Sequence, residues 1–300
     1  MNGILILDKP EGYTSFDVIA KLRGLLGERR LGHGGTLDPM ATGVLPVFAG
    51  AATKAVDLLP NGRKRYCATV RLGVRTDTGD RTGSVVEWND RRASLSALRE
   101  AACGFLGAGE QIPPMVSAVR VDGKRLYELA RAGKTVERKP RPIEIFSIGV
   151  SDYDGEAGTF CLEVECSKGT YVRTLAEDIS ARCGCLACLT ALRRTMSAGF
   201  SLAQAHSIEQ IGQAKEAGTL ESLLFPVDSA FSAYEARKLD ENLARLFLSG
   251  FAFEAPRVRG GLEPGQTARV YRGGVFLGLG REEAGRFKKI KQFWFDTPKG

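Results

Sequence analysis

Between residues 66 and 74 apolar and polar side chains alternate one for one: Tyr66, Ala68, Val70, Leu72 and Val74 against Cys67, Thr69, Arg71 and Gly73. A period of two sends one set to one face of a strand and the other set to the opposite face, so this segment reads as a half-buried β-strand. The alternation returns at 159–166, with Phe160, Leu162 and Val164 on one face. Residues 3–7 (GILIL) form a further short strand, closed by the turn Lys9-Pro10-Glu11-Gly12. Helical spacing lies between these strands. Ser15 is the expected cap of a helix carrying Phe16, Ile19, Leu22 and Leu26, with Gly27 as its stop. Residues 94–106 repeat the pattern through Leu95, Leu98, Ala102, Phe105 and Leu106, and 174–182 return to helix. Residues 31–50 read as a loop, because five glycines and two prolines interrupt every period. The chain is therefore of mixed α/β (α+β) class.

Three hundred residues make room for one large and one small domain, and a boundary is expected near 226–238. Beyond it Asp240 caps a short helix (Leu243, Leu246, Phe247) ended by Gly250, and strand-like pieces follow with Gly-Gly turns at 260–261 and 273–274. With 43% apolar and 26% charged residues a sizeable core can form, and wholesale disorder is excluded. No apolar run reaches the roughly 18 residues that a membrane-spanning helix needs, and the first residues lack the pattern of a signal peptide. The formal charge of +7 is localised. Residues 112–142 hold eight basic residues (Arg120, Lys124, Arg125, Arg131, Lys134, Arg138, Lys139, Arg141) against three acidic ones, and 257–299 hold ten against four. Such a distribution favours a polyanionic partner, and 112–142 reads as an excursion from the core. Seven scattered cysteines, an odd number, read as reduced thiols.

The densest candidate for chemistry is the block 32–46, GHGGTLDPMATGVLP. A carboxylate followed by proline, in a glycine-rich segment, can be presented rigidly into a cleft. Asp38 could equally cap an Asp-Pro turn; a phosphate cradle lacks its Gly-Lys-Ser/Thr. His33 is either a structural hydrogen-bonder or a phosphate contact. Asp77 and Asp80 offer a second carboxylate for acid–base work, but a solvated turn after the strand is the preferred reading. Cys183, Cys185 and Cys188 lack the second ligand pair of a structural zinc site and read as small buried residues. In the segment 167–173 (SKGTYVR) an Arg emerging at a sheet edge could pair with a buried carboxylate and lower its pKa, or the segment could be only a turn and a helix start.

These pieces resemble the TruB family of tRNA pseudouridine synthases. The resemblance rests on Lys9-Pro-x-Gly12-x-Thr14-Ser15, the block 32–46, Gly50-x-Ala52-Thr53-Lys54 and Lys64-Arg65-Tyr66. It continues through Gly73-x-x-Thr76-Asp77-Thr78-x-Asp80, Ile112-Pro113-Pro114-Met115-x-Ser117-Ala118, Gly123-Lys124-x-Leu126-Tyr127, Cys166 to Thr174 and Leu192-Arg193-Arg194, in family order across 3–200. Two positions depart from the pattern: Gly34 stands where the family usually has Thr, and Cys188 where it has His.

The resemblance implies a pseudouridine synthase fold around a largely antiparallel sheet, spanning 1–230 with a thumb-like basic insertion at about 112–142. A small β-rich RNA-binding domain, similar to PUA, follows at 238–297. It implies isomerisation of the T-loop uridine (position 55) of tRNA, with Asp38 as the catalytic aspartate and Tyr66 as the aromatic stacked on the uracil, placed to assist proton removal at C5. Arg173 is implied as the ion-pair partner of Asp38 and His33 as the residue near the flipped nucleotide. Lys9, Lys64, Lys124, Arg125 and Leu192 are implied as further substrate contacts. No cofactor, metal, membrane or protein partner is implied, and the expected state is a cytoplasmic monomer. A reaction that breaks C1′–N1 and rejoins C1′ at C5 wants an ionised carboxylate at the sugar, an aromatic lid and a dry cavity. Flipping the uridine costs a few kcal/mol, which phosphate contacts from the basic stretches would offset. A non-catalytic RNA-binding protein on the same scaffold and a carboxylate hydrolase using Asp38 with Asp77 or Asp80 are the alternatives.

Overall fold

The computed structural model describes residues 1–60, 62–121 and 123–293, so the last positions of the expected second domain, 294–297, lie outside the described residues. The chain begins with β1 (Gly3–Lys9), α1 (Ser15–Leu26), β2 (Leu31–His33), β3 (Thr42–Ala49) and β4 (Lys64–Leu72). A hairpin, β5 (Val74–Thr76) and β6 (Val85–Trp88), precedes α2 (Leu95–Cys103) and β7 (Gly107–Gln111). The basic excursion holds a second hairpin, β8 (Arg120–Val121) and β9 (Lys124–Arg125), and α3 (Leu126–Arg131). Then come β10 (Arg141–Asp154), β11 (Thr159–Cys166), α4 (Val172–Arg182), β12 (Ala187–Ser197), β13 (Phe200–Ser201), α5 (Ile208–Glu216) and β14 (Leu224–Phe225). The C-terminal part runs β15 (Glu235–Lys238), α6 (Glu241–Ser249), β16 (Phe253–Glu254), β17 (Thr267–Arg272), β18 (Val275–Glu283) and β19 (Arg286–Gln292).

Most of the first group forms one sheet in the order β14-β1-β3-β12-β4-β11-β10-β7, with β2 on β3 and β13 on β12. Its pairs are antiparallel except β3 with β12. The two alternating segments became adjacent strands: β4 and β11 pair from Lys64–Cys166 to Arg71–Thr159, and Ala68, Val70, Phe160 and Leu162 bury on one face under α2 and α4. In β1 both faces are covered. Ile4 and Ile6 point to one core, Leu5 and Leu7 to another against α1 and α5, so its apolar residues run without alternation.

The reading of 31–50 as a loop is corrected, because this block contains β2 and a central strand, β3, buried from Gly43 to Ala49. Pro46 hides that strand from sequence reasoning, since proline cannot donate to a ladder. It is tolerated because its carbonyl side, which accepts from Gly34 N–H at 2.9 Å, faces the place where β3 changes partner from β12 to β2. Gly43 sits on the β12 side of that change with φ +101°, and a Cβ there would run into the backbone of Arg194. Only glycine satisfies both conditions.

The cap of α1 is also corrected. Thr14, not Ser15, is the N-cap, and it closes a reciprocal box with Asp17. Ser15 is buried and Phe16 is exposed, so the core face is Val18, Ile19 and Leu22. Gly27 in the left-handed region ends the helix as expected.

A five-stranded sheet, β15-β17-β18-β19-β16, forms the C-terminal β-rich domain around its own core of Leu243, Phe247, Val270, Leu277 and Phe287. Asp240 caps α6 and Gly250 ends it. Phe231 joins this domain to the large sheet, lying 6.4 Å from the Phe276 ring and 5.6 Å from Phe293 while packing in the core of Ile4 and Phe48. Among the described residues no helix is long and apolar enough to cross a membrane.

Gly43→Ala places a methyl group against backbone at the centre of the sheet. It should destabilise the protein by at least about 2 kcal/mol, read as a lowered midpoint in thermal unfolding. Gly109→Ala, in an open position of β7 with φ outside the left-handed region, should leave that midpoint unchanged.

Candidate active site

Asp38 rides on the loop between β2 and β3, and nearly every polar backbone group around it is held by a buried side chain. Arg194, wholly buried on β12, donates from Nε to Val44 O (2.8 Å), from Nη1 to Thr36 O (3.2 Å) and from Nη2 to Gly35 O (3.0 Å). Ser15 Oγ accepts from Leu37 N–H (2.9 Å) and donates to Leu37 O (3.2 Å). On the far side Pro39 O accepts from Gly12 N–H (2.9 Å) and from Lys9 Nζ (3.3 Å). Three segments distant in sequence thus fix the residues before and after Asp38, and its side chain is left for other work.

That side chain meets Arg173, the second residue of α4, which is 3% exposed. Nη2 lies 3.1 Å from Asp38 Oδ2 and donates to Val116 O (2.9 Å); Nη1 donates to Thr78 O (2.6 Å) and lies 3.7 Å from Asp80 Oδ2. The ion pair expected between Arg173 and Asp38 is present. Asp80 was not expected there. The solvated-turn reading is corrected for it: Asp80 is buried and accepts from Thr82 N–H (2.9 Å), Thr82 Oγ1 (2.6 Å) and Thr78 Oγ1 (3.0 Å). Only Asp77 is exposed. Burial pushes the Asp38 carboxyl above the ordinary aspartate value, with Asp80 adding to the rise, and Arg173 offsets it only in part. The sequence reading expected the arginine to lower it; desolvation outweighs the pair.

Asp38 and Leu37 line both a wide cleft of about 1190 Å³ and a narrow recess of about 50 Å³. The recess is completed by Tyr66, Leu192, Arg173 and the turn Thr170-Tyr171-Val172. Tyr66, expected as the aromatic on the base, is buried there beside Leu192. Burial raises the phenol above its ordinary value although the nearby Arg194 acts to lower it, so it is uncharged at neutral pH. Buried Gln111 donates to Tyr171 O (3.1 Å) and accepts from Tyr171 N–H (2.8 Å), which sets where α4 begins and therefore where Arg173 points.

The remaining expected contacts separate. His33, half-buried on β2, lines the wide cleft; burial and Arg194 lower its pKa, so the ring is neutral at neutral pH. Arg125 lines the same cleft and Lys124 is exposed beside it on β9. Lys9 is a correction: it is wholly buried, its ammonium donates to Tyr13 O (2.6 Å), Pro10 O (2.8 Å) and Pro39 O, and burial lowers its pKa to about 8. It fastens the loop through its three carbonyl partners. Lys64 lies behind the loop, where a Cβ on Gly35 would stand 3.2 Å from its Nζ, and burial with Arg194 nearby lowers its pKa to about 8. Gly34 has no vacant space for a larger residue, since a Cβ would come within 3.0 Å of Phe48 and 3.1 Å of Leu59. Cys185 and Cys188 are buried, and among the described residues no group of three or more His, Cys, Asp or Glu could hold a metal ion.

Gln111, next to a recognised motif, escaped sequence reasoning; Asp80 and Arg194 stood inside motifs but were not placed beside the Asp38 loop, because nothing local says that they turn inward.

Residues 23–172 match the family model described as TruB family pseudouridylate synthase (N terminal domain), and 173–232 match the one described as tRNA pseudouridylate synthase B C-terminal domain. A tRNA pseudouridine synthase B from Neisseria meningitidis is 40% identical over 294 residues, which is 97% of this chain and 94% of the relative. One of the same name from Geobacter sulfurreducens is 45% identical over 265 residues, 88% of this chain and 83% of the relative. Among solved structures, a chain of a Cbf5-Nop10-Gar1 complex superposes with a TM-score of 0.75 at 23% identity, covering 97% of this chain and 85% of that one; this is a likeness of fold.

A carboxyl that holds its proton more tightly in the fold than in the unfolded chain opposes folding where it is charged. Stability gained through Asp38 therefore rises as pH falls through its raised pKa and is absent at neutral pH. Asp38→Asn should accordingly melt at or above the wild-type temperature at pH 7. Carboxyl carbon NMR should show Asp38 titrating above the ordinary aspartate range, and Asp80→Asn should move that midpoint down. A wild-type midpoint below the ordinary range would overturn this account of the site's electrostatics.

Proposed function

The chain belongs to the TruB family of pseudouridine synthases, and from that premise we propose that Asp38 carries out the reaction at the sugar of a flipped uridine. The enzyme is an isomerase that converts uridine in tRNA to pseudouridine. By the same proposal the target is the T-loop uridine at position 55. The N1–C1′ bond breaks, the uracil turns within the recess, C1′ joins C5, C5 gives up its proton and N1 acquires one. Asp38 acts as nucleophile at C1′ or as base at C2′, in its ionised form. Its place at the junction of the cleft and the recess, 3.1 Å from a buried guanidinium, is the observation that carries this reading. Arg173 holds the carboxylate charged and oriented while the pocket excludes water.

Tyr66 and Leu192 enclose the base, and the Tyr66 hydroxyl assists removal of the C5 proton with Arg194 beside it. His33 and Arg125 meet the RNA in the wide cleft, and Lys124 reaches its backbone from the hairpin tip. Residues 1–230 form the catalytic domain with the basic 112–142 segment as its thumb, and the domain from 238 onward adds an RNA-binding face with its own excess of Lys and Arg. The protein works as a monomer in the cytoplasm, where its substrate and a reducing environment for its thiols are found.

With tRNA transcript tritiated at uracil C5, the wild type should release label from the T-loop uridine. Asp38→Asn should reduce turnover by about 10³-fold or more while tRNA affinity stays within about threefold. Substantial turnover by that variant would remove Asp38 from the centre of the reaction. Tyr66→Phe should bind tRNA normally and fail in the chemistry. Affinity should fall roughly tenfold or more between 50 and 200 mM salt, because added salt weakens the gain from counterion release; a flat response would contradict the role given to the basic surfaces.

A further inference from the structure

Phe16 stands in the first turn of α1 with 68% of its surface exposed, and it faces the wide cleft together with Thr36, Asp38, Pro39 and the thumb residues Arg120 and Arg125. The helical period would place it in the core beside Ile19, yet that face is taken by Val18 and Leu22. An apolar ring left in water is unfavourable unless something covers it in the working state. Its position is fixed relative to the carboxylate. Ser15, the preceding residue, makes both of its side-chain hydrogen bonds to the backbone of Leu37, the residue preceding Asp38. The Thr14–Asp17 capping box holds the turn itself. The backbone that carries the ring is thus held at a set offset from Asp38.

A flat apolar surface opposite arginines suits an unstacked nucleobase whose phosphates meet the cations. Turning one uridine out of a stacked loop strips its neighbour of a stacking partner. We propose that Phe16 is the stacking platform for the nucleotide adjacent to the isomerised uridine. It is a positioning residue and touches no reacting atom; the proposal rests on the isomerase reading given above. It predicts that the plane of the ring, and not merely its apolar bulk, determines how well tRNA binds.

Steady-state tritium release and binding are measured for full-length wild type, Phe16→Ala, Phe16→Leu and Phe16→Trp, with tRNA carrying 2-aminopurine in turn at the 5′ and 3′ neighbours of the target. Phe16→Ala should raise KM and Kd about tenfold with kcat within about twofold. Phe16→Trp should remain near wild type, and Phe16→Leu should follow the alanine variant. Fluorescence at one neighbour should be quenched on binding by the wild type and by Phe16→Trp, and not by Phe16→Ala or Phe16→Leu. An unchanged KM in Phe16→Ala, a Leu variant equal to wild type, or quenching indifferent to the side chain at this position would each overturn the proposal. Absence of turnover in the wild type would instead refute the isomerase reading, because stacking is read independently by fluorescence.

Discussion

The buried guanidinium of Arg173 is the interaction on which the site depends. It joins the Asp38 loop, the Asp80 turn and the start of the thumb through one planar group, by way of Asp38 Oδ2, Asp80 Oδ2, Thr78 O and Val116 O. A charge taken so far from water is tolerable only when its donors are matched, and arginine's fixed fork of donors can match several acceptors at once. The arrangement also explains why Asp38 is not simply a stabilised carboxylate. One cation is shared between two carboxylates, and burial of the acid outweighs what its share returns. The acid is held in place without being quenched.

Other buried cations serve the backbone instead. Arg194 and Lys9 donate to the carbonyls of residues 10, 13, 35, 36, 39 and 44, mostly in or against the loop that bears Asp38. This is the reason a glycine-rich segment can be rigid. Glycine lets β3 approach β12 closely at Gly43, and the conformational freedom that glycine would otherwise bring is removed by buried charged donors that must be matched by these carbonyls. The positive groups that remain exposed, on the thumb hairpin and the C-terminal domain, face the solvent where a polyanion can meet them.

Much of the fold was legible in the sequence. Strict alternation identified β4 and β11 because each buries one face only, and Asp240, Gly27 and Gly250 marked helix ends through local capping chemistry. Local rules failed at β3, where a proline and a glycine stand inside a central strand, and at Phe16, where helical spacing pointed to the core. For the strand the deciding fact was a pair of partners far away in the chain, β2 and β12; for the ring it was that Val18, Ile19 and Leu22 fill the core face of the helix.

The site divides along the same line. The resemblance in motif order was enough to single out Asp38, Tyr66 and Arg173, because a carboxylate, an aromatic and an arginine are legible as side chains. The sequence by itself also determined where the positive charge lies. Only the tertiary structure decided that Asp80 shares the arginine, that Gln111 and Arg194 hold the backbone around the pocket, that Lys9 is turned inward, and that the Asp38 carboxyl is raised and not lowered. These are questions of burial and of what lies within a few ångströms. Desolvation and hydrogen-bond matching depend on the whole packed surroundings of an atom, and no local stretch of sequence contains them.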